Sequence, residues 1–263
     1  MVERISLGDE SFIQFYAEHI LRYKFAAKFC SGKRVLDAGC GNGYGANYIA
    51  INGAKSVLGI DISDAALHEA SNSFLAPNLR FQKLNVESLS ESLGTFDVIL
   101  NFENIEHVSN PKAVVSGAER ILTEDGLFIT STPNGEISTF DKDGKLTNPF
   151  HVKEYTRKEL GDLLFPHFPR VDFYGEWITP VGKLRRLRAR QLYEQVADSY
   201  YNPVNRIFRQ LKRAMGKKAP PPPGSYAGMD AFDGDFEIAT AVHSPYPWPE
   251  EIILAVCRKS KTA

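Results

Sequence analysis

The stretch Val35-Leu36-Asp37-Ala38-Gly39-Cys40-Gly41-Asn42-Gly43 decides how the chain is read. A short apolar strand over residues 34–38 runs into three glycines, and residues 44–51 restart as a helix that Asn52-Gly53 ends. Glycines at such a junction let the backbone turn sharply and approach a ligand with no Cβ in the way. The helix behind them offers free N–H groups at its N-terminus. Asp61 stands at the end of the next strand, 22 residues after Gly39, where a carboxylate accepts hydrogen bonds from both hydroxyls of a ribose. The spacing is G-x-G-x-G preceded by Asp37, not the G-x-G-x-x-G of dinucleotide binders. A carboxylate before the loop repels a pyrophosphate and suits a ligand that carries an ammonium group and a sulfonium.

Outward from this junction, hydrophobic periodicity places helices over 12–29, 63–74, 111–122 and 156–165. Strands are expected over 34–38, 56–60, 79–84, 96–101, 127–131, 170–174 and 252–257. Ser63 or Asp64 caps one helix and Pro111 opens another. Short apolar strands alternating with helices imply an α/β, Rossmann-like fold with a mostly parallel seven-stranded sheet flanked by helices. Of the 263 residues 43% are hydrophobic and 24% charged, which excludes a disordered, collagen-like or coiled-coil chain. No apolar run approaches the ~18–20 residues of a membrane-spanning helix. The first residues lack the basic-then-apolar order of a secretory signal, so a cytoplasmic protein is expected. Cys30, Cys40 and Cys257 form no C-x-x-C pair, which argues against a disulfide framework or a cysteine zinc site.

Residues 176–249 break the alternation. They contain the stiff run Ala219-Pro220-Pro221-Pro222-Pro223-Gly224 and two expected helices, over 184–197 and 204–215. From Lys183 to Lys218 there are eleven Lys/Arg against Glu194 and Asp198, a net +9 that leaves −1 − 9 = −10 on the remainder. A basic block on an acidic body suits an anionic partner, and a solvated helix face explains it equally well. The expected organisation is one domain over 1–175 plus 250–263, with 176–249 a basic helical insertion that covers the acceptor.

The quoted stretch resembles motif I of the class I S-adenosylmethionine (SAM) methyltransferases, and Gly59-Ile60-Asp61-Ile62-Ser63 resembles the acidic motif that follows it. Phe96-Asp97-Val98-Ile99-Leu100 and Leu122-Thr123-Glu124-Asp125-Gly126-Leu127 resemble the fourth- and fifth-strand motifs. The resemblance implies a SAM site in which Asp37, Gly39, Gly41 and Gly43 meet the methionine part and Asp61 and Ile62 meet the ribose side. It implies that Asn85 and Val86 flank the adenine, that Asn101 lies beside the methionine moiety, and that Arg22 reaches the cofactor carboxylate. The family usually has Asp where Asn85 stands.

After the fourth strand comes Asn101-Phe102-Glu103-Asn104-Ile105-Glu106-His107-Val108. If helical, Glu103, Glu106 and His107 share one face at the carboxyl end of the sheet, where open α/β folds bind ligands. His151, in Asn148-Pro149-Phe150-His151-Val152-Lys153-Glu154-Tyr155-Thr156, is a fourth candidate. Two Glu and two His make a divalent metal site, and two imidazoles favour Mn²⁺ over Mg²⁺. Without a metal, His107 or His151, beside Glu106, is the natural general base.

The E-x-x-E-H pattern with a later His resembles enzymes that 2′-O-methylate the 3′ ends of small RNAs and ubiquinone-pathway O-methyltransferases. Arg22-Tyr23-Lys24-Phe25-Ala26, Gly43-Tyr44-Gly45 and Phe150-His151-Val152-Lys153-Glu154-Tyr155-Thr156 resemble stretches of bacterial methyltransferases encoded with surface-polysaccharide enzymes. The expected activity is SAM-dependent O-methylation of a sugar or glycan hydroxyl, with a metal chelating vicinal oxygens. The acceptor would be free, nucleotide-linked, or lipid-linked at the inner face of the membrane. The basic 183–218 segment would then meet a phosphate, a membrane surface or RNA. The alternatives are an RNA 3′-terminal methyltransferase, a catechol or quinone O-methyltransferase, and a SAM-binding protein without turnover.

Overall fold

In the computed structural model of the chain, residues 10–184, 236–240 and 245–260 are described, with 10–17 as backbone only. The helices expected over 184–197 and 204–215, and almost all of the basic block, lie outside the described residues. The chain divides into two compact units. The larger, which holds the sheet, includes His19–Trp177 and Glu237–Ala263, and the smaller includes Ile5–Glu18 and Ile178–Phe236.

The elements follow the expected order: α1 (Glu10–Cys30), β1 (Arg34–Ala38), α2 (Tyr44–Ile51), β2 (Ser56–Asp61), α3 (Asp64–Ser73), β3 (Leu79–Lys83), β4 (Phe96–Phe102), α4 (Pro111–Ile121), β5 (Leu122–Pro133), α5 (Arg157–Leu164), β6 (Arg170–Ile178), β7 (Phe236–Thr240) and β8 (Ile252–Arg258). The sheet order is β3-β2-β1-β4-β5-β8-β6-β7. The pairs among β1 to β5 are parallel, and β8 runs antiparallel between β5 and β6. The sheet thus has eight strands, one more than the sequence reading gave. The extra strand, Phe-Glu-Ile-Ala-Thr, is five residues long with one buried position. So weak a pattern is hard to separate from loop.

Strands buried on both faces explain the period-two split of the core. Leu36, Ile99 and Phe128 face the side covered by Val114, Val115, Ala118 and Ile121 of α4 and Leu160 of α5. Val35, Val98, Leu100 and Ile129 face the side covered by Tyr23 of α1, Ala46 and Ile49 of α2, and Leu67 of α3. Each fully buried Leu or Ile there contributes ~1.5–3 kcal/mol.

Local chemistry sets the helix starts. Ser63 Oγ accepts from the Ala66 N–H, and Asn110 Oδ1 from the Ala113 N–H with Pro111 next in line. Thr156 and Glu159 close a reciprocal capping box on α5. No helix among the described residues is long and apolar enough to cross a membrane.

Candidate active site

The β1–α2 junction is held by backbone conformations that glycine adopts without strain: φ is +91° at Gly39, +53° at Gly41 and +82° at Gly43. The three serve different ends. A Cβ on Gly39 would come within 2.5 Å of Asn104 Nδ2, and one on Gly43 within 2.7 Å of Ala70 Cβ and Phe81 Cζ. Gly41 has nothing within 4 Å of that position, so open space lies over the middle of the loop. The Gly41 N–H donates to Asp61 Oδ2 at 2.9 Å, and the Ser63 N–H to Oδ1 at 2.8 Å. Two backbone donors aim this carboxylate and leave it lone pairs for further donors. Ile62, next to it, is 56% exposed, an apolar surface beside an acid.

Asp37 is buried beneath the loop. Tyr23 Oη lies 3.3 and 3.2 Å from its two carboxylate oxygens, and the Tyr23 ring packs edge-on against Phe102 and Tyr44. Burial, opposed by the Tyr23 hydrogen bond and aided by nearby Asp61, raises the Asp37 pKa to about 7. A cation seated against Asp37 would draw that value back down.

Other expected cofactor residues are placed differently. The Arg22 guanidinium is buried against Glu176, with Nη1 2.9 Å from Oε2 and both side chains about 1% exposed. The sequence did not reveal this long-range pair. Asn101 is fully buried; its Nδ2 donates to the Ala38 carbonyl at 2.8 Å and to Asn104 Oδ1 at 3.1 Å. It braces the loop from behind, while Asn104, which the sequence reading passed over, lies against Gly39. Asn85 Oδ1 accepts from the Glu87 N–H, and Val86 is buried in the core.

The segment after β4 is a turn, not the conditional helix. Glu103 takes a left-handed φ of +44°, the sole non-glycine to do so among the described residues, and the His107 N–H closes on the Asn104 carbonyl at 3.0 Å. Strain of this kind needs support from its surroundings. Ser131 of β5 supplies it: Oγ donates to Glu103 Oε1 at 2.7 Å, and the Ser131 carbonyl accepts from the Glu103 N–H at 3.2 Å. Glu103 is therefore drawn onto β5 and out of the expected ligand set.

The same turn brings Glu106 and His107 to His151. Ligand atoms of these three residues lie within 4.8 Å of one another, and the two imidazole rings stand 4.9 Å apart, edge to face. The loop carrying His151 is pinned there, because the Val152 and Lys153 N–H groups donate to the Glu106 carbonyl at 2.8 and 3.2 Å. The Gly135 N–H donates to the Tyr155 carbonyl at 2.8 Å, and a Cβ on Gly135 would come within 2.8 Å of the Tyr155 backbone.

The hydrogen bonds assign the imidazole protons. His107 Nδ1 lies 3.0 Å from the Phe150 carbonyl, which only accepts, so Nδ1 carries a proton and Nε2 is the ring atom left for a ligand. His151 Nδ1 lies 2.6 Å from Glu154 Oε1, whose other oxygen accepts from Ser138 Oγ. His151 Nε2 faces Asn148 Nδ2 at 3.0 Å. Glu154 stands three residues after His151 in the very stretch that drew attention to it, and sequence reasoning still missed its role.

Glu106 is 1% exposed. Its Oε2 accepts from Thr132 Oγ1 at 3.1 Å, and its Oε1 has no hydrogen-bond partner among the described residues. Burial, with Glu103 nearby, pushes its pKa well up. A buried carboxylate oxygen without a donor among the described residues, with the His107 and His151 imidazoles close by, matches the donor set of a divalent transition metal. Metal-binding histidines characteristically give their other N–H to a carbonyl or carboxylate, as both do here.

A methyltransferase-domain family model matches residues 11–179. The chain is 31% identical over 231 residues to a probable S-adenosylmethionine-dependent methyltransferase of Mycobacterium tuberculosis, spanning 87% of this chain and 78% of that one. The chain belongs to the class I S-adenosylmethionine-dependent methyltransferases. It is also 35% identical over 158 residues to a probable S-adenosylmethionine-dependent methyltransferase of Mycolicibacterium smegmatis, a match over 60% of this chain and 59% of that relative's length. A ubiquinone biosynthesis O-methyltransferase of Dechloromonas aromatica is 38% identical over 184 residues, 68% of this chain and 72% of that one. The YcgJ protein of Bacillus subtilis, 18% identical, superposes with a TM-score of 0.57 over 92% of this chain and 100% of that one, which shows the shared fold. In this methyltransferase the open side of Gly41, the Asp61 carboxylate and exposed Ile62 fit SAM.

Proposed function

We propose that this methyltransferase acts on a hydroxyl oxygen of a sugar or glycan, and that Glu106, His107 and His151 hold a divalent metal beside the acceptor. The observation that carries the reading is the Glu106–His107–His151 cluster, with a buried carboxylate oxygen that has no partner among the described residues and both histidine Nδ1 atoms already occupied. SAM supplies an electrophilic methyl group, and a metal held by these three residues would lower the pKa of a hydroxyl beside it.

Beside this cluster lies a cavity of about 440 Å³ lined by Asn134, Ser138, Thr139, Thr147, Asn148 and Glu154, with Pro133, Ile137 and Glu251. So many hydroxyl, amide and carboxylate groups suit a polyol better than a flat apolar quinone. Glu154 holds the Nδ1 proton of His151, which keeps Nε2 as the atom that binds an ion or takes a proton. An acceptor or ion there replaces the amide of Asn148.

Calorimetric titration of Mn²⁺ into metal-stripped protein saturated with S-adenosylhomocysteine tests the cluster. One site in the wild type and none in His151→Ala is the expected result. Absence of a site in the wild type overturns the metal. Methyl transfer from labelled SAM to methyl pyranosides, with catechol alongside, tests the acceptor. The relatives named ubiquinone biosynthesis O-methyltransferases make catechol the rival, and a product from catechol alone would give it the site.

A further inference from the structure

A second cavity, of about 450 Å³, lies in the same compact unit and is lined by Glu136, Arg157, Trp177, Tyr246, Trp248 and Glu250, with Pro247 and Pro249. Its aromatic wall comes from Pro245-Tyr246-Pro247-Trp248-Pro249, in which every second residue is proline. Each proline fixes its own φ and restricts the residue before it, so little conformational freedom is left for a ligand to freeze. The Tyr246 and Trp248 rings are stacked, 5.1 Å between centroids and 5° apart in plane. The Tyr246 hydroxyl donates to Glu237 Oε2 at 2.9 Å, which fixes the outer ring.

The rest of the lining points to a polar ligand, beside the buried Trp177. Opposite in character stand the carboxylate of Glu136 and the Arg157–Glu250 ion pair. A stacked aromatic face with carboxylate and guanidinium groups in one cavity matches a pyranose. Its C–H face covers an aromatic ring while its hydroxyls both donate and accept.

The two cavities are lined by neighbouring residues of the same segments. Glu136 lines one and Ile137 the other; the same holds for Glu250 and Glu251, and for Arg157 and Glu154. Asn134, which lines the first, ties the two segments together: its N–H donates to the Glu251 carbonyl at 3.0 Å and its Nδ2 to the Glu250 carbonyl at 3.1 Å. We propose that the second cavity is a pyranose subsite that holds a further unit of the acceptor glycan, beyond the one presented to His151. This rests on the glycan reading above.

The chain has two tryptophans, and both line this cavity, so intrinsic fluorescence reports on it directly. Methyl glucoside, mannoside, galactoside and rhamnoside, and their homodisaccharides, are titrated into the full chain with S-adenosylhomocysteine present. At least one is expected to shift the emission of the wild type. Trp248→Ala should weaken that sugar by about tenfold, while Trp248→Phe stays within about threefold, as an aromatic stacking term requires. Since Trp177 remains in both variants, each can still be read.

No shift with any sugar at ~20 mM, far above the ~1 mM scale of weak binding, overturns the proposal. So does equal affinity of wild type and Trp248→Ala, or a shift produced by catechol and by no sugar. The two readings fail separately. Sugar methylation with the same KM in wild type and Trp248→Ala sinks the subsite and keeps the glycan activity. A Trp248-dependent shift that survives in His151→Ala, with no sugar ever methylated, keeps the subsite and sinks the glycan activity.

Discussion

The glycine loop and the Glu106–His107–His151 cluster are built on opposite principles. Residues 37–43 are shaped by backbone: three glycines with positive φ and a carboxylate 20 residues from the N–H it accepts. Glu106, His107 and His151 are shaped by side chains, carried on a turn after β4 and on a loop more than 40 residues later. The first construction tolerates almost no Cβ. The second tolerates exchange of side chains, provided that the loops stay pinned. One half of such a site can therefore stay fixed while the other changes acceptor.

His151→Ala should break the acceptor end alone. Turnover is expected to fall by about 10²–10⁴-fold, with S-adenosylhomocysteine affinity unchanged by calorimetry. A parallel loss of cofactor affinity would mean that the two ends are not separable. Asp61→Ala should do the reverse, weakening the cofactor by about 10–100-fold as a hydrogen-bonded carboxylate is lost. Equal affinity in variant and wild type would remove Asp61 from the site.

Within the loop, Gly39→Ala and Gly41→Ala sharpen the contrast. Both incur the left-handed penalty of ~1–2 kcal/mol, but only the first also drives a Cβ into Asn104. Gly39→Ala should lower the melting temperature more, and Gly41→Ala should affect mainly cofactor affinity. The order of the two melting temperatures decides it.

The smallest effect is a pH dependence. Because Asp37 titrates at about 7 in the fold and at 3.8 when unfolded, the folded state holds its proton more tightly. Stability without cofactor is then full below the unfolded value and declines as pH rises toward 7, since the unfolded chain ionises first. Affinity for the ammonium-bearing cofactor runs the other way, rising about tenfold between about pH 6 and about pH 8 as Asp37 ionises. Asp37→Asn should flatten both profiles, and an unchanged affinity profile would clear Asp37 of the role.

Most of the fold was legible because its signals are local. Leu36, Ile99 and Phe128 alternate with Val35, Val98 and Ile129, and Ser63, Asn110 and Thr156 sit where helix caps are expected. What escaped depends on distance or strain. Arg22 and Glu176 pair across 154 residues, which no periodicity reveals. Glu103 leaves helical geometry because Ser131, on another strand, stabilises it. Glu154 was visible in sequence three residues from His151, but its orientation depends on Ser138 and the pinned loop.

The position of β8 also bears on how the protein is made. β6 lies between β8 and β7 in the sheet, and both follow it in the chain. On the ribosome β6 emerges with no strand to pair with, and β5 has one edge bare. From Ile178 to Ile252 the chain grows by 252 − 178 = 74 residues. At ~5–20 residues per second that is roughly 4–15 s during which two apolar edges wait. Substitutions that slow β8 insertion should therefore lower the yield of soluble enzyme in the cell before they touch its activity.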